Sequence, residues 1–112
     1  MILLLDTSTP MCKLTLIDGE WRYDNEWQAD RELAHRLLKY LHDELQKNNK
    51  TWADISGIGA YEGPGSFTGL RIGLAVLNTM AESLHVPIVG ATDDTWQEEV
   101  LTKLKDGNLI IL

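Results

Sequence analysis

The chain has 112 residues, 44% of them hydrophobic and 24% charged, with ten basic and seventeen acidic side chains. That length predicts one domain with a hydrophobic core. The formal net charge of -7 disfavours a nucleic-acid surface as the main function, because phosphate binding needs clustered lysine and arginine side chains. The apolar run over residues 1–5 is too short for a signal peptide or a membrane span, and a single cysteine, Cys12, fits a reducing compartment. We therefore expect a cytoplasmic protein that makes no membrane contact.

Three short strands are predicted at the start of the chain. Residues 2–5 form a continuous apolar run, which is typical of a strand buried on both faces. Apolar and polar side chains alternate over residues 12–16, so Cys12 points inward, which favours a buried structural thiol over a reactive one. An Asp-Gly pair at residues 18–19 predicts a hairpin turn, and residues 21–27 form the return strand at the edge of a sheet.

Helices and strands alternate in the rest of the chain. We expect Asp30 to be the N-cap of the first helix and Thr51 to form a capping box with Asp54 on a short turn after it. The first predicted helix runs from Asp30 to residues 48–49 and is followed by a strand over 55–61. A second helix runs from the loop 62–68 to about Leu84, and a strand over 85–89 follows it. A third helix over 95–104, capped by Thr95 and Glu98, precedes an apolar strand over 109–112. The order β-β-β-α-β-α-β-α(-β) predicts an α/β fold with a mixed five-stranded sheet, antiparallel in its hairpin half and parallel in the other.

The most specific segment lies between the fourth strand and the second helix. It consists of Gly63, Pro64, Gly65, Ser66, Phe67, Thr68, Gly69, Leu70, Arg71, Ile72 and Gly73. Backbone N–H groups at a helix N-terminus can hold an anion, and Arg71 could reach that anion or form a surface ion pair. The alternative is that the glycines allow a sharp turn and close helix packing. Their spacing fits neither a Walker loop nor the dinucleotide-binding fingerprint.

A polar turn, Asp6, Thr7 and Ser8, follows the first strand. In nucleotide-handling folds of this topology an acidic residue at this position lies near metal or phosphate, but Asp6 could equally cap the turn through an Asx hydrogen bond. Metal binding is disfavoured, because His35 and His42 lie seven residues apart, whereas zinc on a helix needs ligands three or four apart.

The first two helices are apolar over more than one face, which indicates either full burial or a stripe presented to a partner. An intermolecular helix bundle and internal burial are therefore the two alternatives. The residues that would contact a partner are Ala34, Leu37, Leu38, Leu41 and Leu45 of the first helix and Gly69, Ile72, Gly73, Val76 and Met80 of the second.

Residues 2–10 and the glycine-rich residues 63–73 together resemble the TsaB (YeaZ) family, and the elements between them are in register. The resemblance implies an actin-like, ribonuclease H-like (ASKHA) lobe. It also implies a non-catalytic partner of the transferase TsaD, which attaches threonylcarbamoyl to the adenosine beside the anticodon of ANN-decoding tRNAs. Family members pack their first two helices against the matching helices of TsaD, so a bulky residue at Gly73 is expected to weaken TsaD binding without unfolding the chain.

Members of the family usually continue into a second lobe, so the resemblance divides the chain into an N-terminal lobe, residues 1–107, and the start of a truncated or absent second lobe, residues 108–112. Because an actin-like nucleotide site lies between two lobes, we expect no cofactor here. The resemblance also names the ATPase TsaE as a partner, and the short chain puts that binding in doubt. Two alternatives remain: a module that forms homodimers through the same helices, and a degenerate ATP- or metal-dependent enzyme lobe. The acidic composition predicts that tRNA is contacted only indirectly, through the partner.

Overall fold

A mixed five-stranded sheet lies at the centre of the structure, a computed structural model that describes residues 1–106. The strands are β1 (Ile2–Asp6), β2 (Met11–Asp18), β3 (Trp21–Gln28), β4 (Gly57–Tyr61) and β5 (Ile88–Ala91), in the order β3-β2-β1-β4-β5. β2 pairs antiparallel with β1 and β3, whereas β1, β4 and β5 are parallel. This confirms the predicted hairpin half and parallel half. The strand predicted over residues 109–112 lies outside the described residues.

The helices pack on both faces of this sheet. Within residues 1–106 they are α1 (Leu33–Lys47), α2 (Phe67–Leu84) and α3 (Trp96–Lys105), with single 3₁₀ turns at Asp30–Glu32 and Trp52–Asp54. Leu3 and Leu5 belong to the core cluster that includes α1 and α2, while Leu4 packs with Trp96 and Val100 of α3. Successive side chains of a strand point to opposite faces, so the continuous apolar run of β1 is buried on both, as predicted.

The start of α1 differs from the prediction. Asp30 is not its N-cap but begins the preceding 3₁₀ turn with φ of 48°, and the residue before α1 is Glu32, which makes no capping bond through its side chain. The N–H groups of Ala29 and Asp30 both donate to the carbonyl of Pro10, at 2.9 and 3.2 Å. This contact ties the end of β3 to the β1–β2 turn, and the N-cap position of the helix therefore lies at Glu32, two residues after Asp30.

Three other predicted ends of elements agree with the structure to different degrees. The capping box is confirmed, since the Thr51 N–H donates to the Asp54 carboxylate at 2.8 Å. The predicted strand over residues 85–89 instead begins at Ile88, because His85 ends α2 in a left-handed conformation with φ of 55°. Thr95 occupies the N-cap position of α3, but its side chain makes no capping bond there.

The buried position predicted for Cys12 is confirmed, since its side chain is fully buried in β2. Burial, helped by the charge of Asp6, raises the pKa of the Cys12 thiol to about 12.

The thiolate is the reactive form, so we expect the folded chain to resist an aromatic disulfide reagent at mildly alkaline pH and to react with one equivalent once denatured. Reaction of the folded chain as fast as that of free cysteine would contradict this prediction.

Candidate protein interface

The glycine-rich loop is fastened to the β1–β2 turn and to the end of the sheet. Thr7 Oγ1 donates to the carbonyl of Gly69 at 2.7 Å, and the Ser66 N–H donates to the carbonyl of Ser8, also at 2.7 Å. On the other side of the loop, the Tyr61 hydroxyl donates to the Pro64 carbonyl at 2.6 Å, and the Asp93 N–H donates to the Gly63 carbonyl at 2.9 Å. These bonds hold both ends of the loop in one conformation.

The glycines of this segment allow α2 to approach the β1–β2 turn. A Cβ atom added at Gly65 would overlap the side chain of Ser8, one at Gly69 would overlap the carbonyl oxygen of Thr7, and one at Gly73 would overlap the Thr7 side chain. The interpretation of the glycines as a means of close helix packing is thus confirmed. Gly73 is buried against this chain's own turn, so its prediction as a partner contact is wrong, whereas Gly69 is only half-buried and its partner contact stays a prediction.

Two polar groups in and beside the loop that could bind an anion are already bonded within the chain. The Ser66 hydroxyl already accepts the Gly69 N–H at 3.3 Å, and Asp6 Oδ1 accepts the Ser8 N–H at 2.8 Å, which is the predicted Asx bond. The surroundings are also negative, since burial together with the charges of Asp6, Asp93 and Asp94 raises the pKa of Tyr61. Such a field opposes phosphate binding.

Within residues 1–106, Arg71 does not form the surface ion pair that was one of the two roles predicted for it, while its contact with an anion stays a prediction. Its guanidinium lies over the ring of Phe67, 5.4 Å from the ring centroid, in a cation–π contact. The ion pairs found within residues 1–106 do not include it.

An open apolar groove of about 660 Å³ runs between α1 and α2. Leu38 stands beside it with 56% of its surface exposed, a large fraction for a leucine. The residues that line the groove are Ala34 and Leu38 of α1, Ala75, Val76, Thr79, Met80, Ser83 and Leu84 of α2, and Trp52 from the 3₁₀ turn. A contiguous apolar surface between two helices is typical of a protein-binding site.

The residues predicted to contact a partner divide into two groups. Ala34, Leu38, Val76 and Met80 line the groove. The others serve the core: Leu37, Leu41 and Leu45 are at most 1% exposed, and Ile72 is half-buried against the same cluster. The prediction that these leucines form part of a partner surface is therefore wrong, because they face the chain's own sheet.

Several residues of the groove were not among those predicted to contact a partner. Ala75, Thr79 and Ser83 recur every four residues on α2, and this row of small side chains is the signal that could have revealed them. Trp52 had no such signal, since it reaches the groove from a separate turn.

Two further kinds of feature are absent from the part of the chain that the structure describes. Residues 1–106 contain no group of three or more His, Cys, Asp or Glu side chains that could hold a metal ion. Among the same residues, no helix has the length and apolar character needed to cross a membrane.

Comparison with known proteins identifies the fold. YeaZ from Pseudomonas aeruginosa superposes with a TM-score of 0.76 and 32% sequence identity, over 82% of this chain and 43% of that one. RuvC of T. thermophilus, in complex with a Holliday junction substrate, superposes with a TM-score of 0.57 at 10% identity, over 81% of this chain and 63% of that one, and shows the fold alone. The mixed sheet with helices on both faces is therefore a lobe of the ribonuclease H-like, ASKHA-type class.

The sequence comparisons identify the family. Residues 27–93 match the family described as "TsaD: tRNA N6-adenosine threonylcarbamoyltransferase". The tRNA threonylcarbamoyladenosine biosynthesis protein TsaB of Escherichia coli K12 is 31% identical over 91 residues, which are 81% of this chain and 39% of that protein. The chain belongs to this family and, within it, to the TsaB (YeaZ) proteins. It spans about half or less of the length of the curated relatives it matches first.

Proposed function

We propose that the chain is a non-catalytic scaffold subunit that binds a TsaD-type transferase through the groove between α1 and α2. In this role it supports the attachment of threonylcarbamoyl to the adenosine next to the anticodon of ANN-decoding tRNAs. The observation that carries the proposal is the apolar groove with the exposed Leu38 at its side. Such a groove accepts the apolar face of a partner helix.

The family match supports a partner of related fold. The matched residues, 27–93, include both helices of the groove, and the family description names the transferase itself. Two lobes that share these helices can pair about an approximate twofold axis, each presenting the same surface to the other, as in the isologous interfaces of dimers. A TsaD-type lobe is thus the partner that the family match favours.

The charge distribution supports an indirect role toward tRNA. The chain carries a net charge of -7, and the acidic side chains near the loop add to the negative field. A surface that repels phosphate does not hold tRNA by itself. We infer that the partner makes the tRNA contacts, that the binding unit is the lobe of residues 1–107, and that TsaE is a further partner.

Size-exclusion chromatography with light scattering, on the chain alone and mixed with the cognate TsaD, tests the proposal. We expect a one-to-one complex. Leu38→Glu places a charge in the groove and should weaken binding by about 30- to 1000-fold, because an unpaired carboxylate would have to be desolvated. Leu38 is exposed, so thermal unfolding should be unchanged.

Gln46→Glu is the matched control. It adds the same charge to an exposed position of α1 that does not line the groove, and it should bind TsaD as the unmodified chain does. A chain that forms no complex with TsaD, or a folded Leu38→Glu chain with full affinity, would overturn the proposal.

A homodimer through the same groove is the second candidate. The exposed Leu38 stands next to a groove that could receive the Leu38 of a second copy, so the surface is suited to pairing with itself. In that case TsaD should convert the homodimer into the heterodimer. The Leu38→Glu chain should be a monomer both on its own and in the mixture with TsaD.

A further inference from the structure

Phe67 is the most exposed of the large apolar side chains within residues 1–106, with 73% of its surface accessible. A single exposed apolar residue is ordinary on a protein surface. The position of Phe67 differs in that it follows directly on the loop whose two ends are fastened by the bonds of Thr7, Ser66, Tyr61 and Asp93 described above. The backbone that presents the ring is therefore fixed before any partner arrives.

The ring of Phe67 is also restricted by a contact with Arg71. The Arg71 guanidinium lies 5.4 Å from its centroid, one helical turn further along α2. This contact restricts the ring and keeps a cation at its side. A side chain that is already ordered loses less conformational entropy when it is buried by a partner, so the pair is suited to binding.

Phe67 and Arg71 begin a row of exposed residues that leads into the groove. The row continues at intervals of four residues with Ala75 and Thr79, both of which line the groove. At 1.5 Å per residue the row is about 18 Å long, the length of a short helix lying along it. A partner helix that is seated in the groove and follows this inclined i, i+4 ridge of α2 would thus extend toward the ring.

We propose that Phe67 and Arg71 form a second contact point for the TsaD-type partner, which meets the ring with an apolar socket and the guanidinium with a carboxylate. The inference rests on the proposed function, because it assigns this contact to the occupant of the groove. The apolar socket follows from the exposed ring. The carboxylate follows from Arg71, which forms none of the ion pairs found within residues 1–106 and so keeps its charge available.

Fluorine NMR tests the contact directly. Phe67 is the only phenylalanine of the chain, so growth with 4-fluorophenylalanine gives a single fluorine resonance that reports on this ring. We expect the resonance of the free chain to shift and broaden when unlabelled TsaD is added. Leu38→Glu should prevent the change, because the ring is buried only when the groove is occupied.

Affinity measurements with variants complete the test. Phe67→Ala should weaken TsaD binding about 10- to 100-fold and Arg71→Glu by a similar factor, both without a change in thermal unfolding. The matched control is Trp21→Ala, which removes an exposed aromatic side chain from β3, away from α2, and should leave the affinity unchanged.

The outcomes separate this inference from the proposed function. If Leu38→Glu abolishes the complex while the fluorine resonance of the unmodified chain does not move and Phe67→Ala binds normally, the second contact is overturned and the groove remains. If the unmodified chain forms no complex with TsaD, both are overturned.

Discussion

Gly69→Ala is expected to destabilise the fold by about 2–4 kcal/mol, even though alanine is the better helix former by about 1 kcal/mol. The added Cβ atom would overlap the carbonyl oxygen of Thr7, which is a backbone atom and cannot rotate away. The same carbonyl belongs to the turn that the Thr7 hydroxyl bonds to Gly69. Relief would therefore require α2 to move away from the β1–β2 turn. Urea unfolding followed by circular dichroism measures the loss.

Gly73→Ala provides the comparison, because its Cβ atom would overlap the Thr7 side chain instead of the backbone. We expect a loss of about 1–3 kcal/mol that Thr7→Ala partly restores in the double variant, since the overlapping atoms are then removed. Thr7→Ala should not restore Gly69→Ala. Additive effects in both double variants, or a Gly69→Ala chain with the original unfolding midpoint, would contradict this account of the close approach.

Gly19→Ala serves as a control for backbone strain alone. Gly19 has φ of 62°, in the left-handed region, but nothing lies within 4 Å of an added Cβ atom. Its substitution should cost about 1 kcal/mol, so a larger loss at Gly69 is attributable to overlap.

Gly69 and Gly73 show why the neighbour of a helix face could not be predicted from the sequence. Gly69 and Gly73 lie four residues apart on one helical face, and that spacing is the same whether the helix approaches a partner or its own chain. The structure shows that the nearest neighbour is Thr7, more than sixty residues away in sequence. Only the pairing of β1 with β4 brings that turn to the start of α2, and spacing within one helix contains no information about it.

The sheet and the helices were predictable because their signals are local. Alternation over β2 and the continuous apolar run of β1 define which faces are buried, and both follow from the period of a strand. The predicted Asp30 cap failed for the opposite reason. The carbonyl of Pro10 accepts hydrogen bonds from the N–H groups of Ala29 and Asp30 after β3. Because of this long-range contact, the α-helix begins later in the sequence than the local pattern predicts.

The groove could be predicted only in part. The sequence indicated that α1 and α2 carry more apolar surface than one face can bury, which is correct. It did not indicate which leucines would be left over, since adjacent positions on a helix differ by only about 100° around its axis. The orientation of α1 is set by its core contacts and by polar anchors such as the Tyr23 hydroxyl, which donates to the buried Glu44 at 2.6 Å.

Leu37 and Leu38 allow the difference between core and groove positions of α1 to be measured. Leu37 is fully buried and Leu38 is 56% exposed, although they are neighbours of the same type. Leu37→Ala should lower the free energy of unfolding by about 2–5 kcal/mol, because it leaves a cavity in the core, whereas Leu38→Ala should change it by no more than about 0.5 kcal/mol. Denaturant unfolding of the two variants provides the comparison. Losses of about 2–5 kcal/mol at both positions would place Leu38 in the core and remove the surface on which partner binding is proposed. Small losses at both positions would mean that α1 does not pack against the sheet through Leu37.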